Sequence, residues 1–182
     1  MGVVATIILV AWVVFWIYWL VVAAGSKQGH TRWGRFAGIR VAILLIVLLL
    51  AREKVFKGHT ITSDPWPEGV GLAIFFSGLA LAVWARSYLG RNWGMPMSEK
   101  VDPELVTTGP YRRVRHPIYS GIILAMVGTA VAVSWYWLVA VALLGAYFVY
   151  CAIMEERYMA TLFPEVYSDY KHSTKMLVPF IF

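Results

Sequence analysis

The sequence predicts an all-α, polytopic membrane protein with about five transmembrane helices. The last two form a helical hairpin, and a cytoplasmic helical segment follows them. Three observations carry this expectation. Of 182 residues, 60% are hydrophobic and 14% charged, against about 45–50% apolar and about 25% charged in soluble domains. Mean hydropathy is +0.67. The apolar residues gather into separate runs near the roughly 20 residues that cross a hydrocarbon core.

The first run, "VVATIILVAWVVFWIYWLVVAA" (Val3–Ala24), has no cationic segment before it and is too long for a secretory leader, so it is expected to persist as span one. Span two is Phe36–Ala51, with Arg40 able to snorkel. Span three is Gly69–Ala85, span four Ile118–Val133, and span five Trp135–Met154. Spans four and five are separated by a corner at Ser134 and must run antiparallel. That corner holds Trp135, Tyr136 and Trp137 and no charge, which suits an interfacial aromatic belt.

The opposite end of the hairpin is basic. Arg86, Arg91, Lys100, Arg112, Arg113 and Arg115 precede span four, and Arg157, Lys171 and Lys175 follow span five. The positive-inside rule places these segments, and the loop of Lys27, Arg32 and Arg35, in the cytoplasm. The N-terminus is then outside and the C-terminus cytoplasmic, although the basic Arg52–Lys57 segment falls on the outer side. A net charge of +6 distributed in this way gives no reason to invoke nucleic acid. The one cysteine, Cys151, lies in an apolar run, which excludes a disulfide framework and a cysteine-based metal site. The stretch between spans three and four reads as an ordered loop with turns at "MPM", "VDP" and "TTGP".

An antiparallel hairpin must bring "RRVRHP" (Arg112–Pro117) and "MEER" (Met154–Arg157) to one depth. Pro117 suits the first position of a helix and presents His116 at its start. Glu155 and Glu156 end an apolar helix, where carboxylates are costly unless paired or solvated. Two readings stay open: salt bridges to the arginines, or a site for a cationic group of a ligand. Tyr167 and Tyr170, three apart, share a helix face that either closes a pocket or lies on the membrane.

Together, "LGRNWG" (Leu89–Gly94), "LVTTGPYRRVRHPIYSG" (Leu105–Gly121), "MEERYMATLF", "YSDY" and the final "LVP" resemble the isoprenylcysteine carboxyl methyltransferase superfamily, which includes phospholipid N-methyltransferases and small-thiol methyltransferases. The resemblance divides the single membrane domain into two N-terminal spans (residues 1–66) and a methyltransferase-like core (residues 67–182). It implies S-adenosyl-L-methionine as cofactor, bound by His116, Pro117, Tyr119, Gly121, Glu155, Glu156, Tyr167 and Tyr170. It further implies that Arg115, Glu156 and Lys175 serve methyl transfer to a carboxylate, or a thiol or amine, of a lipophilic small-molecule or lipidated acceptor at the cytoplasmic membrane face, with membrane lipids as further partners and no metal taking part. Two departures from the family pattern are Phe163–Pro164, where Phe-Gly is common, and Met176 before the final Leu-x-Pro, with the basic Lys175 one residue earlier. The resemblance leaves two other functions open, a membrane reductase of the sterol-reductase type using NADPH and a non-catalytic lipid-binding protein. Oligomeric state is not readable from the sequence.

Overall fold

The computed structural model describes residues 2–23, 29–31, 66–93, 98–100 and 104–179. Span two, the loop of Lys27, Arg32 and Arg35, the Arg52–Lys57 segment, and the "MPM" and "VDP" turns lie outside the described residues. Five helices are described: α1 (Val3–Ala23), α2 (Trp66–Leu89), α3 (Pro117–Ala132), α4 (Trp137–Leu162) and α5 (Pro164–Ser173). A three-residue antiparallel ladder also pairs β1 (Gly29–Thr31) with β2 (Ser98–Lys100), Gly29 opposite Lys100.

Among the described residues, three helices are long and apolar enough to cross a membrane: α1, α4, and α2 with its 3₁₀ extension to Asn92. Their outward faces confirm the solvent they expect. Val10, Val13, Val14, Ile17, Leu20 and Val21 of α1 are all exposed, while Ile8, Phe15 and Trp19 turn inward. Leu, Ile and Val on the outside and fewer large side chains within is the pattern of a bundle solvated by lipid.

The core is the antiparallel pair α2–α3. The seam residues recur with one spacing on both helices and all but Phe75 are small: Gly71, Phe75, Gly78 and Ala82 on α2, and Gly121, Ala125, Gly128 and Ala132 on α3. A Cβ at Gly71 would lie 2.5 Å from the Ala132 backbone nitrogen, and one at Gly121 would lie 2.7 Å from that of Ala82. Gly78 meets the Ala125 backbone, and Gly128 that of Phe75, closer still. Lipid offers no hydrophobic drive for helices to associate, so close backbone approach through small residues supplies the dispersion contact instead.

Helix α1 lies along this pair. The Trp12 indole Nε1–H donates to Thr129 Oγ1 at 3.2 Å, and its ring meets Phe75 edge to face at 5.5 Å. At the other end Arg86 of α2 is fully buried. Its guanidinium donates to the Gly90 carbonyl at 2.5 Å and the Val22 carbonyl at 3.1 Å, and stands 4.8 Å over the Trp93 ring. One side chain thereby reaches carbonyls at the C-terminal end of α1 and in the 3₁₀ extension of α2, where Gly90 O also accepts from Trp93 N–H at 3.3 Å.

The α3–α4 turn is as tight as the sequence requires. Val133–Tyr136 form it, closed by Trp137 N–H to the Ser134 carbonyl at 3.0 Å. Helix α4 outlasts the expected span, continuing to Leu162 because "EERYMATL" contains good helix formers. Phe163 then breaks the helix and Pro164 opens α5 at its first position.

Helix α3 has only 16 residues, about 24 Å at 1.5 Å per residue, short of the roughly 30 Å hydrocarbon core. The missing length is a non-helical segment, Arg113–His116, lined by the C-terminal tail. Lys175 N–H donates to Arg113 O at 3.1 Å, Arg115 N–H to Lys175 O at 2.8 Å, and His116 N–H to Met176 O at 3.1 Å. This strap supplies backbone partners where a membrane cannot.

The packing makes a paired prediction. Gly128→Val, which drives methyl groups into the Phe75 backbone, is expected to cost about 1–3 kcal/mol or more. Gly145→Ala on α4, where an added Cβ meets nothing within 4 Å, is expected to be neutral or stabilising by under about 1 kcal/mol. Thermal unfolding in detergent distinguishes the two.

Candidate functional site

The hairpin brings its two polar ends into contact. Arg115 Nε lies 2.6 Å from Glu156 Oε1, and Lys171 Nζ lies 3.0 Å from Glu156 Oε2. His116 stands between both carboxylates, with Nδ1 3.5 Å from Glu155 Oε2 and Nε2 3.6 Å from Glu156 Oε1. The Tyr119 hydroxyl donates to Glu155 Oε1 at 2.7 Å. Adjacent residues on a helix diverge by 100°, so Glu155 turns towards Tyr119 and Glu156 towards the cations.

The two glutamates differ in exposure. The Glu156 side chain is 4% exposed and that of Glu155 28% exposed. Glu156 is therefore the anchor of the cluster. Glu155 is the carboxylate that keeps surface for something outside the protein.

Arg115 is fixed on several sides. Besides Glu156, its guanidinium donates to the Thr174 carbonyl at 2.6 Å and the Lys171 carbonyl at 3.2 Å. These are the last carbonyls of α5, where a cation is favoured by the helix dipole. Ser120 Oγ–H reaches the Leu177 carbonyl at 2.5 Å, adding a side-chain stitch to the strap. Lys171, Thr174 and Ser120 were not singled out from sequence. Lys171 had a legible signal, since it follows Tyr167 by four and so shares its helix face.

Aromatic rings wall the cluster. His116 stacks on Tyr119 at 5.5 Å with planes 4° apart, and Tyr119 stacks on Phe148 of α4 at 4.8 Å. Tyr167 and Tyr170 are both buried, 6.0 Å apart edge to face. The Tyr170 hydroxyl donates to the Tyr111 carbonyl at 2.7 Å. Their shared face therefore packs inward and does not lie on the membrane. Burial pushes the hydroxyls of Tyr111, Tyr167 and Tyr170 well above the usual phenol value, with neighbouring anionic groups adding to it, so all three remain neutral.

Of the sequence-predicted cofactor residues, His116, Tyr119, Glu155, Glu156, Tyr167 and Tyr170 surround this cluster. Pro117 and Gly121 do not. Each lies two residues from Tyr119, a rotation of about 200° on the helix. Gly121 is used against α2, where Ala82 leaves no room for a side chain. Pro117 instead lines a cavity on the far side of α3. Among the residues expected to serve transfer, Arg115 and Glu156 meet directly. Lys175 contributes its main chain to the strap, while its side chain is exposed and is not brought to the carboxylates. It is Lys171, not Lys175, whose side chain reaches Glu156. Among the described residues, no three His, Cys, Asp or Glu side chains gather into a metal-ligating group.

Comparison with known proteins finds a family. The family model for phospholipid methyltransferase matches residues 67–166, from the start of α2 into α5. The chain is 29% identical over 143 residues to the nickel-cobalt-cadmium resistance protein NccN of Alcaligenes xylosoxydans xylosoxydans, covering 77% of this chain and 64% of that protein. It is 27% identical to the cobalt-zinc-cadmium resistance protein CzcN of Cupriavidus metallidurans, covering 77% and 63%. It is 28% identical over 148 residues to a methanethiol S-methyltransferase of a Pseudomonas species, covering 75% and 56%. The chain thus spans between 56% and 64% of the length of these relatives.

Two tests follow from the cluster. Arg115→Met leaves the buried Glu156 carboxylate with Lys171 and His116 alone and also removes the donor to the Thr174 and Lys171 carbonyls, and is expected to cost about 3 kcal/mol. Lys171→Met removes a partner that is 55% exposed and is expected to cost under about 1 kcal/mol. The second test concerns pH. Burial pushes the His116 imidazole down, but hydrogen bonding and charge from Glu155 and Glu156 outweigh it and hold the group above its ordinary value. A raised value means that His116 stabilises fully below about pH 6.5 and progressively less as pH rises through the folded-state value. The thermal midpoint is expected to fall across that window in the wild type, and His116→Gln to flatten the decline.

Proposed function

The chain belongs to the phospholipid methyltransferase family, and from that premise we propose that it is an integral membrane methyltransferase using S-adenosyl-L-methionine at the Glu155–Glu156 cluster. The acceptor is proposed to be a lipophilic molecule bearing a carboxylate, or alternatively a thiol or amine. The observation that carries this reading is the pair of carboxylates at the end of apolar α4, one anchored by Arg115 and Lys171 and the other partly exposed beside His116 and Tyr119.

The donor set suits this cofactor. Glu155 offers charge to an α-ammonium group, and the rings of Tyr119, Tyr167 and Tyr170 offer apolar and π surface to a sulfonium and a purine. Glu156 has little surface to offer a ligand. Its role is to hold Arg115, His116 and Lys171 in place, so that Glu155 meets a ligand in fixed geometry. When bound, S-adenosyl-L-methionine supplies an electrophilic methyl group on a positively charged sulfur. An ionised carboxylate or thiolate needs no general base when it attacks, so the protein's tasks are alignment and exclusion of water. Alignment alone is worth about 7–11 kcal/mol where the geometry is right.

Different observations favour different acceptor chemistries. The methanethiol S-methyltransferase is named for a small thiol, and the isoprenylcysteine resemblance favours a carboxylate beside a lipid chain. Charge distribution supports a cytoplasmic location for the cluster, with five spans, the N-terminus outside and the C-terminus inside.

Calorimetry with S-adenosylhomocysteine on detergent-purified protein tests the cofactor. Saturable binding is expected, and Glu155→Gln is expected to weaken it about 10- to 100-fold, the worth of a charge-assisted hydrogen bond. Absence of binding by a folded wild type, or saturable binding of NADPH in its place, would overturn the assignment.

A further inference from the structure

A second polar feature lies on the opposite side of α3 from the carboxylates. A cavity of about 730 Å³ opens there between α2 and α3, within the size range of ligand sites, about 300–1,000 Å³. Its apolar wall is Leu81 and Trp84 of α2, three residues apart on one face, together with Pro117 of α3 and Leu177 of the strap. Its polar mouth is Arg112 and Arg113. Both arginines are exposed, and among the described residues neither side chain makes an ion pair or hydrogen bond. Among the described residues, no Asp or Glu lines the cavity.

We propose that this cavity holds an anionic phospholipid, its head-group phosphate on Arg112 and Arg113 and the start of one acyl chain against Leu81 and Trp84. The placement matches that of a lipid in a bilayer. Trp84 is 50% exposed on a membrane-spanning helix and meets Tyr88 edge to face at 6.0 Å. Such rings sit at head-group level. The arginines lie just beyond, on the 3₁₀ turn Gly109–Arg112 and its successor. That turn is held close to α2 by Gly109, whose positive φ of 60° and missing Cβ let the Tyr88 ring pack directly against it. Guanidinium groups bind phosphate in a fixed, bidentate geometry, and Arg115, the third arginine of the stretch, is already committed to Glu156 on the other side.

The consequence is a division of labour along five residues. Arg115 and His116 serve the carboxylate cluster, whereas Arg112 and Arg113 seat a lipid that packs against the strap through Leu177. The proposal does not depend on the cofactor reading.

The test is native mass spectrometry of the delipidated full-length protein in detergent, titrated with phosphatidylglycerol and with phosphatidylcholine of identical chains. Phosphatidylglycerol is expected to bind about tenfold tighter or more, given two arginines near its charge. Arg112→Gln/Arg113→Gln is expected to bring the two lipids to near-equal binding, and Arg112→Lys/Arg113→Lys to retain the preference. Trp84→Ala is expected to weaken both lipids together. The readout is a ratio within one preparation, so loss of folded protein does not imitate it. Equal binding of both lipids by the wild type, or an unchanged preference in the double glutamine variant, would overturn the proposal. Glycerol phosphate competing as strongly as the lipid would assign the cavity to a soluble phosphate ligand and overturn it as well.

Discussion

The structure depends on one constraint, the satisfaction of backbone and charge at the short end of α3. A 16-residue helix leaves several residues of non-helical chain at the membrane boundary, including two arginines and a histidine. Unpaired peptide groups there cost several kcal/mol each. The C-terminal tail meets this requirement by lying parallel to this segment, through the Val114–Lys175 bridge and its flanking hydrogen bonds. The same strap brings α5 against the end of α4, so Lys171 and the α5 carbonyls reach Glu156 and Arg115. Satisfying the backbone and building the cluster are one event.

The second determinant is the small-residue seam between α2 and α3. It spends one face of α3, including Gly121, on packing, and so leaves two other faces with separate chemistry. Tyr119 looks towards α4 and the carboxylates, while Pro117 and Ser120 look towards the arginine-mouthed cavity. Because α2 and α3 approach to backbone contact, neither helix can roll to exchange these faces without a steric clash. The seam therefore fixes which residues meet the carboxylates and which meet lipid.

Much of this was legible in the sequence, for identifiable reasons. The α3–α4 hairpin followed from run length and an uncharged corner, and it placed "RRVRHP" beside "MEER" without any fold knowledge. Tyr167 and Tyr170 were legible as one face but not as inward-facing, because a single amphipathic turn does not say which side is buried. The position of Gly121 was misread for a similar reason: a motif gives an order of residues, whereas the 200° between Tyr119 and Gly121 decides which wall each occupies. The strap was not legible, since main-chain pairing of "TKML" with "RVRH" leaves no mark in hydropathy. Lys175 was expected, with Arg115 and Glu156, to serve the transfer because it lies just before the final Leu-x-Pro of the family pattern. The strap turns its side chain outward and lets Lys171, one turn from Tyr167, reach the carboxylate instead.

Family membership, the anchored Glu156 and the more exposed Glu155 converge on one central claim, that the cluster positions a methyl donor against an acceptor arriving from the membrane. The most direct measurement is transfer of labelled methyl from S-adenosyl-L-methionine by purified protein in liposomes, supplied in turn with a prenylated thiol-carboxylate and a small thiol. The account predicts label in at least one acceptor, lost in Glu155→Gln while that variant keeps its wild-type melting temperature. Undiminished transfer in Glu155→Gln, or no transfer to either acceptor by protein that binds the cofactor, would contradict it.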